Sequence, residues 1–563
     1  MKDFKNAVIE CVPNFSEGHN MATIRQITDE IEKIEGVRLL DVDPGKATNR
    51  TVVTFVGNPE AVIEAAFQAI KKAGELIDMR QHKGEHPRMG ATDVCPLIPV
   101  SGITAEETIA FAHMLGKRVG EELGIPVYLY EYAASAEYRR NLANIRSGEY
   151  EGFAAKILKP EWKPDYGEAV FNEQSGATVI GVRDFLIAYN VNLNTTSTRR
   201  ANAVAFDIRE KGRQKKDVSG KVVKDANGEA VWEPGLLKSV KAIGWYIEEY
   251  GIAQISINLT NMNVTPLHVV FDTACERAQA RGMRVTGSEL VGLVPLQAML
   301  AAGRYFLEKQ QRSTGVGEDE LIRIAIKSLG LDELAPFDPQ KKIIEYQLKN
   351  KEAKSLVDMS LTRFAIETAS ESPAPGGGSI AAYCGALGAA LGTMVANLSS
   401  HKKGWDSRWK EFSDQAEQGQ GILKELLDLV DKDTDAFNQI MAAFGLPKAN
   451  DAEKNARKSA IEKATINAIK VPFRTMELCF HSFDLAKAMA ETGNPNSVSD
   501  AGVGALCARA GVKGAYLNVK INAQDLMDNA EVKALVEKAE VMNGQADARE
   551  QEIWQIVLGK MKS

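Results

Sequence analysis

Cysteine is the first shortage in this chain: six residues in 563 (Cys11, Cys95, Cys275, Cys384, Cys479 and Cys507), scattered, with no Cys-x-x-Cys pair. That excludes a zinc site built on paired thiolates and points to a reducing, cytoplasmic compartment. Excess positive charge is missing too. With 68 Lys and Arg against 75 Asp and Glu, the formal net charge is −7. Such a balance argues against a nucleic-acid partner or an anionic-membrane surface, while leaving room for a local cationic pocket. The N-terminal MKDFKNAVIECVPNFSEG has no signal-peptide h-region. Long apolar runs reduce to one, Ile380 to Ala396, rich in alanine and glycine. It is barely bilayer length, and its flanks hold no paired anchors, so it reads as a buried, close-packed helix and not a membrane span.

What is present is ordinary for a globular protein: 44% hydrophobic and 25% charged residues. The length implies about three or four domains at roughly 150 residues each. The first third alternates strand and helix patterns. Strands are expected at Ala7–Val12, Val37–Val42, Thr51–Val56, Asp93–Val100 and Val127–Tyr130, with helices near 21–33, 59–79 and 105–123 between them. A second α/β block is expected from Ala177, with strands at Thr178–Val182, Leu186–Leu193, Ile252–Leu259 and Met283–Thr286. Asn227-Gly228 between β-branched runs predicts a peripheral hairpin over Val218–Val231. The lysine-rich stretch from Pro336 to Leu356 reads as a linker. After it alanine and leucine dominate and helical periods run to the end. The expected architecture is therefore multidomain: an α/β subdomain over 1–176, a second over 177–335, a linker over 336–356 and an all-α helical bundle over 357–563.

The run Gln81-His-Lys-Gly-Glu-His86-Pro-Arg88-Met-Gly90 concentrates chemistry. It holds two of the seven histidines in a Gly/Pro-bounded loop between a helix and a strand. Imidazole can give and take a proton near neutrality, which suits transfer of an acyl-like group between nitrogens. The alternative is that both rings bond to backbone and fix the loop. A His-x-x-x-His zinc reading is weaker, because Pro87 breaks the helix that spacing needs.

Cys11-Val-Pro-Asn-Phe-Ser-Glu-Gly18, Leu40-Asp-Val-Asp43, Thr48-Asn-Arg-Thr-Val52, His82 to Gly90, Gly244-Trp-Tyr246 and Gly287 to Pro295 together resemble the glutamate formimidoyltransferases. The resemblance covers roughly residues 5–330. It implies that His86, in the His-Pro-Arg step, is the catalytic acid and base, that Asp43 orients its ring, and that Arg88 takes a substrate carboxylate through its fork. It also implies two α/β subdomains with a folate in the groove between them. The folate-binding segment falls on Gly167-Glu168-Ala169-Val170-Phe171-Asn172-Glu173-Gln174-Ser175-Gly176. Bottom-up, that stretch is a polar, Gly-bounded connector; Phe171 could face the pterin, and an ordinary loop is the alternative.

In the last third, Ser372-Pro-Ala-Pro-Gly376-Gly377-Gly378-Ser379 precedes a helix. It can present N–H groups to an anion at the positive end of the dipole, or serve as a tight turn for close helix packing. Leu429-Val-Asp-Lys-Asp-Thr-Asp-Ala-Phe437 is sharper. At roughly 100° per residue, Ile422, Leu426, Leu429, Val430, Phe437 and Ile440 fall within about 60° of Asp433. Asp433 therefore lies in an apolar stripe, where desolvation would raise its pKa toward acid/base use. The alternative is pairing to a lysine across the bundle.

These motifs, with Val471-Pro-Phe, Asn496-Ser-Val-Ser-Asp500 and Gly514 to Asn522, resemble the formimidoyltetrahydrofolate cyclodeaminases over about 357–560. That resemblance places the catalytic aspartate on Asp433. Asn496 and Asp500 are candidates for the site wall, with helix capping as the alternative. The two resemblances together imply a bifunctional enzyme of histidine breakdown and one-carbon metabolism. Its substrates would be N-formimino-L-glutamate and tetrahydrofolate, with or without a polyglutamate tail, and it would use no metal. A homo-oligomer through both parts is implied as well. The rivals are a transferase alone (formimino or formyl), whose helical part assembles subunits through Gly385, Ala386, Gly388, Ala389 and Gly392, and a non-enzymatic folate binder.

Overall fold

Alternating apolar residues drive the first sheet. The computed structural model describes residues 4, 7–45, 49–83, 88–348 and 355–562, divided between two compact units. In the first unit (Met1–Ala301 with Ile326–Lys349), strands β1 (Val8–Cys11), β2 (Asn14–Phe15), β3 (Val37–Gly45), β4 (Arg50–Gly57), β5 (Thr92–Ser101), β6 (Val127–Glu131) and β7 (Thr178–Val182) form one sheet. The strand order is β1-β4-β2-β5-β7-β6, with β3 beside β4. Helices α1 (Met21–Glu32), α2 (Pro59–Leu76) and α3 (Ala105–Leu123) cover the face formed by Ile9, Cys11, Val53, Phe55, Cys95 and Leu97. Asn58 caps α2 with Pro at its first position, and a Thr104–Glu107 capping box starts α3. Period-two alternation sends Glu10, Val12 and Thr54 to the opposite face. On that side, α4 (Leu142–Arg146) and α5 (Glu149–Lys156) bury Ile145 and Phe153 against Tyr128, Tyr130 and Val179.

Thr178–Val182 differs from its sequence reading. It does not open a second block; it pairs in parallel with β5 and β6 inside the first sheet. Its five buried residues mark a strand covered on both faces. The second sheet begins with β8 (Ile187–Leu193). Then follow α6 (Thr198–Ile208), the short β9 (Arg213–Gln214) and β10 (Trp232–Glu233), β11 (Val240–Ile247), β12 (Ile252–Leu259), α7 (Leu267–Gln279) and β13 (Val285–Val291). Its order is β11-β12-β8-β13, antiparallel throughout. The expected hairpin lies between β9 and β10, with two similar turns. Asp217 and Asp225 each accept backbone N–H groups two and four residues on, before and after Gly220 and Gly228.

Helices α8 (Leu296–Lys309) and α9 (Glu318–Leu329) lead to a second correction. Much of the expected linker is folded: α10 (Pro339–Lys342) and α11 (Ile344–Leu348) bury Ile343, Ile344 and Tyr346, and Ile343 bridges Val294. Lysine richness masked three apolar anchors in KKIIEY.

The second unit (Ala302–Ala325 with Asn350–Ser563) is helical. It holds α12 (Leu361–Thr368), α13 (Gly377–Ser400), α14 (Trp409–Phe444), α15 (Asp451–Thr492), α16 (Val498–Ala523) and α17 (Ala530–Met561). Helix α13 is long and apolar enough to cross a membrane by length and composition alone, and 61% of that window is buried among its neighbours. Its small residues face inward. A Cβ on Gly388 would meet the Gly504 carbonyl at 2.8 Å, and one on Gly385 would meet Cys479 Sγ at 2.2 Å. The stripe that the transferase-alone alternative would place between subunits therefore packs helices within this unit, as the close-packed reading of this run expects.

Candidate active sites

The chain between α2 and β5 carries the histidine loop. Residues 84–87, and with them His86, lie outside the described residues. Its flanks are firmly held. Arg88 is 7% exposed, and its guanidinium is fully engaged. Nη1 donates to Glu149 at 3.0 Å and to Glu151 at 2.9 Å, and Nη2 to Glu151 at 2.6 Å. Nε donates to His82 Nδ1 at 3.2 Å. A guanidinium only donates, so Nδ1 of His82 is bare and Nε2 carries the proton, which is given to the Asn49 carbonyl at 2.9 Å. His82 is thus a tether between the loop and the start of β4.

Glu149 and Glu151, in Gly-Glu-Tyr-Glu, belong to none of the motifs singled out in the sequence. They open α5, whose last residue, Lys156, closes the preceding turn. Its Nζ donates to the carbonyls of Asn144, Ile145 and Ser147 at 3.0, 2.7 and 2.8 Å. Burial, with help from Lys159, brings this lysine down to about 8. A polar cavity of about 440 Å³ lies beside Lys83, Arg88, Gly148, Glu149 and Glu151. Asp43 is exposed on β3, paired in register with Val52. Arg50, at the start of β4, lies within electrostatic reach of Asp43, Asp93 and Arg146.

Segment 167–176 lies directly against the loop's exit. Ala91 N–H donates to the Ser175 carbonyl at 2.8 Å, and Ala177 N–H to Met89 at 3.0 Å. Gly176 has φ +67°, and a Cβ there would sit 2.1 Å from the Met89 carbonyl, so only glycine allows this approach. Asn172 shapes the turn by accepting the Ser175 and Gly176 N–H groups. Gly167 is half-buried; Glu168, Ala169, Val170, Glu173 and Gln174 are exposed. Phe171 is half-buried, its ring 5.3 Å from Tyr150 and 5.8 Å from Phe153. The structure therefore brings this segment, Arg88 and the flanks of the histidine loop together.

In the helical unit, Asp433 meets the N-terminus of α13. The backbone N–H of Ser379 donates to Oδ2 at 2.9 Å; the Ser379 hydroxyl lies 3.2 Å from Oδ2 and 2.8 Å from the Val430 carbonyl. A Cβ on Gly378 would fall 2.1 Å from Oδ1. The glycine run thus leaves room for a carboxylate at the positive end of the helix, and the anion it receives is a side chain of the same chain. Burial raises the Asp433 pKa, against the lowering effect of both Ser379 groups. No lysine pairs with Asp433 among the described residues. The apolar stripe is buried at Leu426, Leu429 and Val430; beyond Asp433 the buried positions are the small Ala436 and Ala443, while Phe437 is 42% exposed.

Asn496 and Asp500 do not join this site within one copy of the chain. Gly388 packs on Gly504, and Gly377 approaches Asn518, so α13 and α16 run antiparallel. Asn494 N–H donates to Ser399 at the far end of α13. Asn496 and Asp500 therefore lie about 30 Å from Gly377 at ~1.5 Å per helical residue. Ser379 and Asn518, both near Asp433, sat inside quoted motifs without an assigned part.

Comparisons with known proteins agree along the chain. The family described as formiminotransferase domain, N-terminal subdomain, matches residues 8–183. Formiminotransferase domain matches 188–349, and formiminotransferase-cyclodeaminase matches 360–541. The formimidoyltransferase-cyclodeaminase of Gallus gallus is 45% identical over 522 residues, 92% of this chain and 93% of that protein. The glutamate formimidoyltransferase of Streptococcus pyogenes is 40% identical over 301 residues, 54% of this chain and 93% of that protein. The methenyltetrahydrofolate cyclohydrolase of Methylorubrum extorquens is 39% identical over 193 residues, 34% of this chain and 93% of that protein.

Proposed function

Because the chain belongs to the formimidoyltransferase-cyclodeaminase family, we propose that His86 and Asp433 are the proton-moving groups of its two successive reactions. The enzyme transfers the formimino group from N-formimino-L-glutamate to tetrahydrofolate. It then cyclises 5-formimidoyltetrahydrofolate to 5,10-methenyltetrahydrofolate, releasing ammonia. In the first reaction folate N5 attacks the formimino carbon. His86 takes the N5 proton and returns it to the glutamate nitrogen as the carbon–nitrogen bond breaks. Asp43 orients that ring, while His82 and the Arg88–Glu149–Glu151 cluster hold the loop. For Arg88 to bind a substrate carboxylate, the substrate must displace Glu151 from its fork. The groove between two α/β subdomains, bordered by 167–176, receives the folate.

In the second reaction N10 attacks the amidine carbon. Asp433 accepts the N10 proton and passes it to the departing nitrogen. The observation that carries this reading is the Asp433 carboxylate, held among the described residues by Ser379 and raised in pKa by burial, which suits a group that takes and returns a proton. Exposed Leu387, Met394 and Leu398 on α13 support assembly through the helical part of the homo-oligomer that the family resemblance implies through both parts. The free cysteines suit a cytoplasmic setting.

The test mixes protein, tetrahydrofolate and formiminoglutamate and follows methenyl absorbance with ammonia. Asp433→Asn is expected to accumulate the formimino intermediate without ammonia release. His86→Ala is expected to lose transfer while still cyclising added intermediate. Unchanged ammonia release by Asp433→Asn would leave the helical unit an assembly module.

A further inference from the structure

Between the open faces of the two sheets in the first unit lies a cleft of about 380 Å³. Glu10 lines it, and no catalytic assignment above uses this residue. It stands on β1 between Ile9 and Cys11, whose side chains enter the helix-covered core, so alternation turns the carboxyl into the cleft. Glu10 is 6% exposed, and no hydrogen bond reaches its carboxyl among the described residues. Arg183 is the opposing charge within electrostatic reach. Burial nevertheless raises Glu10 to about 7. A buried carboxyl without donors is costly, and the cost is relieved where a ligand brings them.

We propose that Glu10 is a ligand-binding carboxyl of the transferase cleft, accepting the two parallel N–H groups of a planar N–C–N edge. The pairing mirrors a guanidinium fork on a carboxylate. Both substrates of the transferase carry such an edge: the 2-amino-pyrimidinone side of the reduced pterin, and the formimino group of the donor. Register favours the pterin. Glu10 pairs with Val56 of β4 and Asp43 with Val52, a separation of about 13 Å along the strand at ~3.3 Å per residue. The formimino carbon must react at the Asp43 end. A ring gripped at Glu10 by its far edge instead points its reacting nitrogen toward that end. Arg183, Lys341 and Lys342 line the same cleft and suit the carboxylates that both substrates bear.

This inference rests on the transferase reading, and the experiment separates the two. Glu10→Gln in the full chain keeps size and removes charge. The KM values for tetrahydrofolate and for formiminoglutamate are measured in transfer, with cyclisation of added intermediate as the internal control. The expected result is a tenfold or greater rise in the tetrahydrofolate KM, with the donor KM within twofold and cyclisation intact. A selective rise in the donor KM instead would keep the carboxyl's part and assign the edge to the formimino group. The wild-type KM should also rise as pH falls from 8 to 6, as Glu10 protonates, and the variant's should not. Arg183, Asp41, Lys341 and Lys342 face the same cleft and Cys11 adjoins Glu10; all remain in the variant, so any slope common to both proteins is theirs. Glu10→Asp, which keeps the charge on a shorter arm, should fall between. Unchanged KM values, or a loss confined to kcat, would overturn the inference. If the wild type transfers nothing, the transferase reading fails instead.

Discussion

Ser379 supplies two hydrogen-bond contacts to the Asp433 carboxylate, through its amide at 2.9 Å and its hydroxyl at 3.2 Å, and both act on the same oxygen. Each lowers a pKa that burial raises. Ser379→Ala removes the hydroxyl and keeps the amide. Because a carboxylate that accepts N10's proton must start ionised, the acid limb of the cyclisation profile should move to higher pH, by about one unit if the lost bond is worth ~1.5 kcal/mol. A pH–rate series on added 5-formimidoyltetrahydrofolate checks this. An unmoved limb would mean that another group controls it.

Gly378→Ala should separate the two activities. Its Cβ would overlap Asp433 Oδ1 at 2.1 Å, and both partners are held by helices. The carboxylate or the start of α13 must shift, and a misplacement of about 1 Å can lower rate ~100-fold. Cyclisation should fall to that extent while formimino transfer is unchanged. Parallel assays on one preparation read both.

The Arg88 cluster should respond asymmetrically. Arg88 is enclosed, whereas Glu149 and Glu151 expose 42% and 64% of their side chains. Removing both acids (Glu149→Gln with Glu151→Gln) leaves an enclosed cation with His82 contacts and no counter-charge; Arg88→Met returns two acids to water and frees His82. The double variant should therefore be the less stable by about 1–3 kcal/mol in denaturant unfolding of the first unit. Equal losses would show that the acids carry no special load.

Much of this arrangement was legible beforehand. Strands such as RTVVTFVG and helices such as PEAVIEAAFQAIKKAGEL carry their periods openly, and the glycine run and Asp433 were both singled out. That one receives the other was not, because helical spacing places a residue on a face but says nothing of which helix faces it. The same limit hid β7, whose partner strands lie far away in sequence, and the clasp of Arg88 by acids some sixty residues on. KKIIEY shows a different failure: three isolated apolar residues outweighed a lysine-rich composition, with Val294 available beside Ile343.

Helix α13 has a consequence for how the chain is made. Its glycine and alanine surface is kept from water by Cys479 and Leu485 of α15 and by Gly504 and Ala508 of α16, all of which leave the ribosome after it. Until they arrive, the nascent protein exposes a sticky, bilayer-length rod. Premature termination after α13 but before α16 should therefore yield a product that aggregates or clings to chaperones, however well its front half has folded.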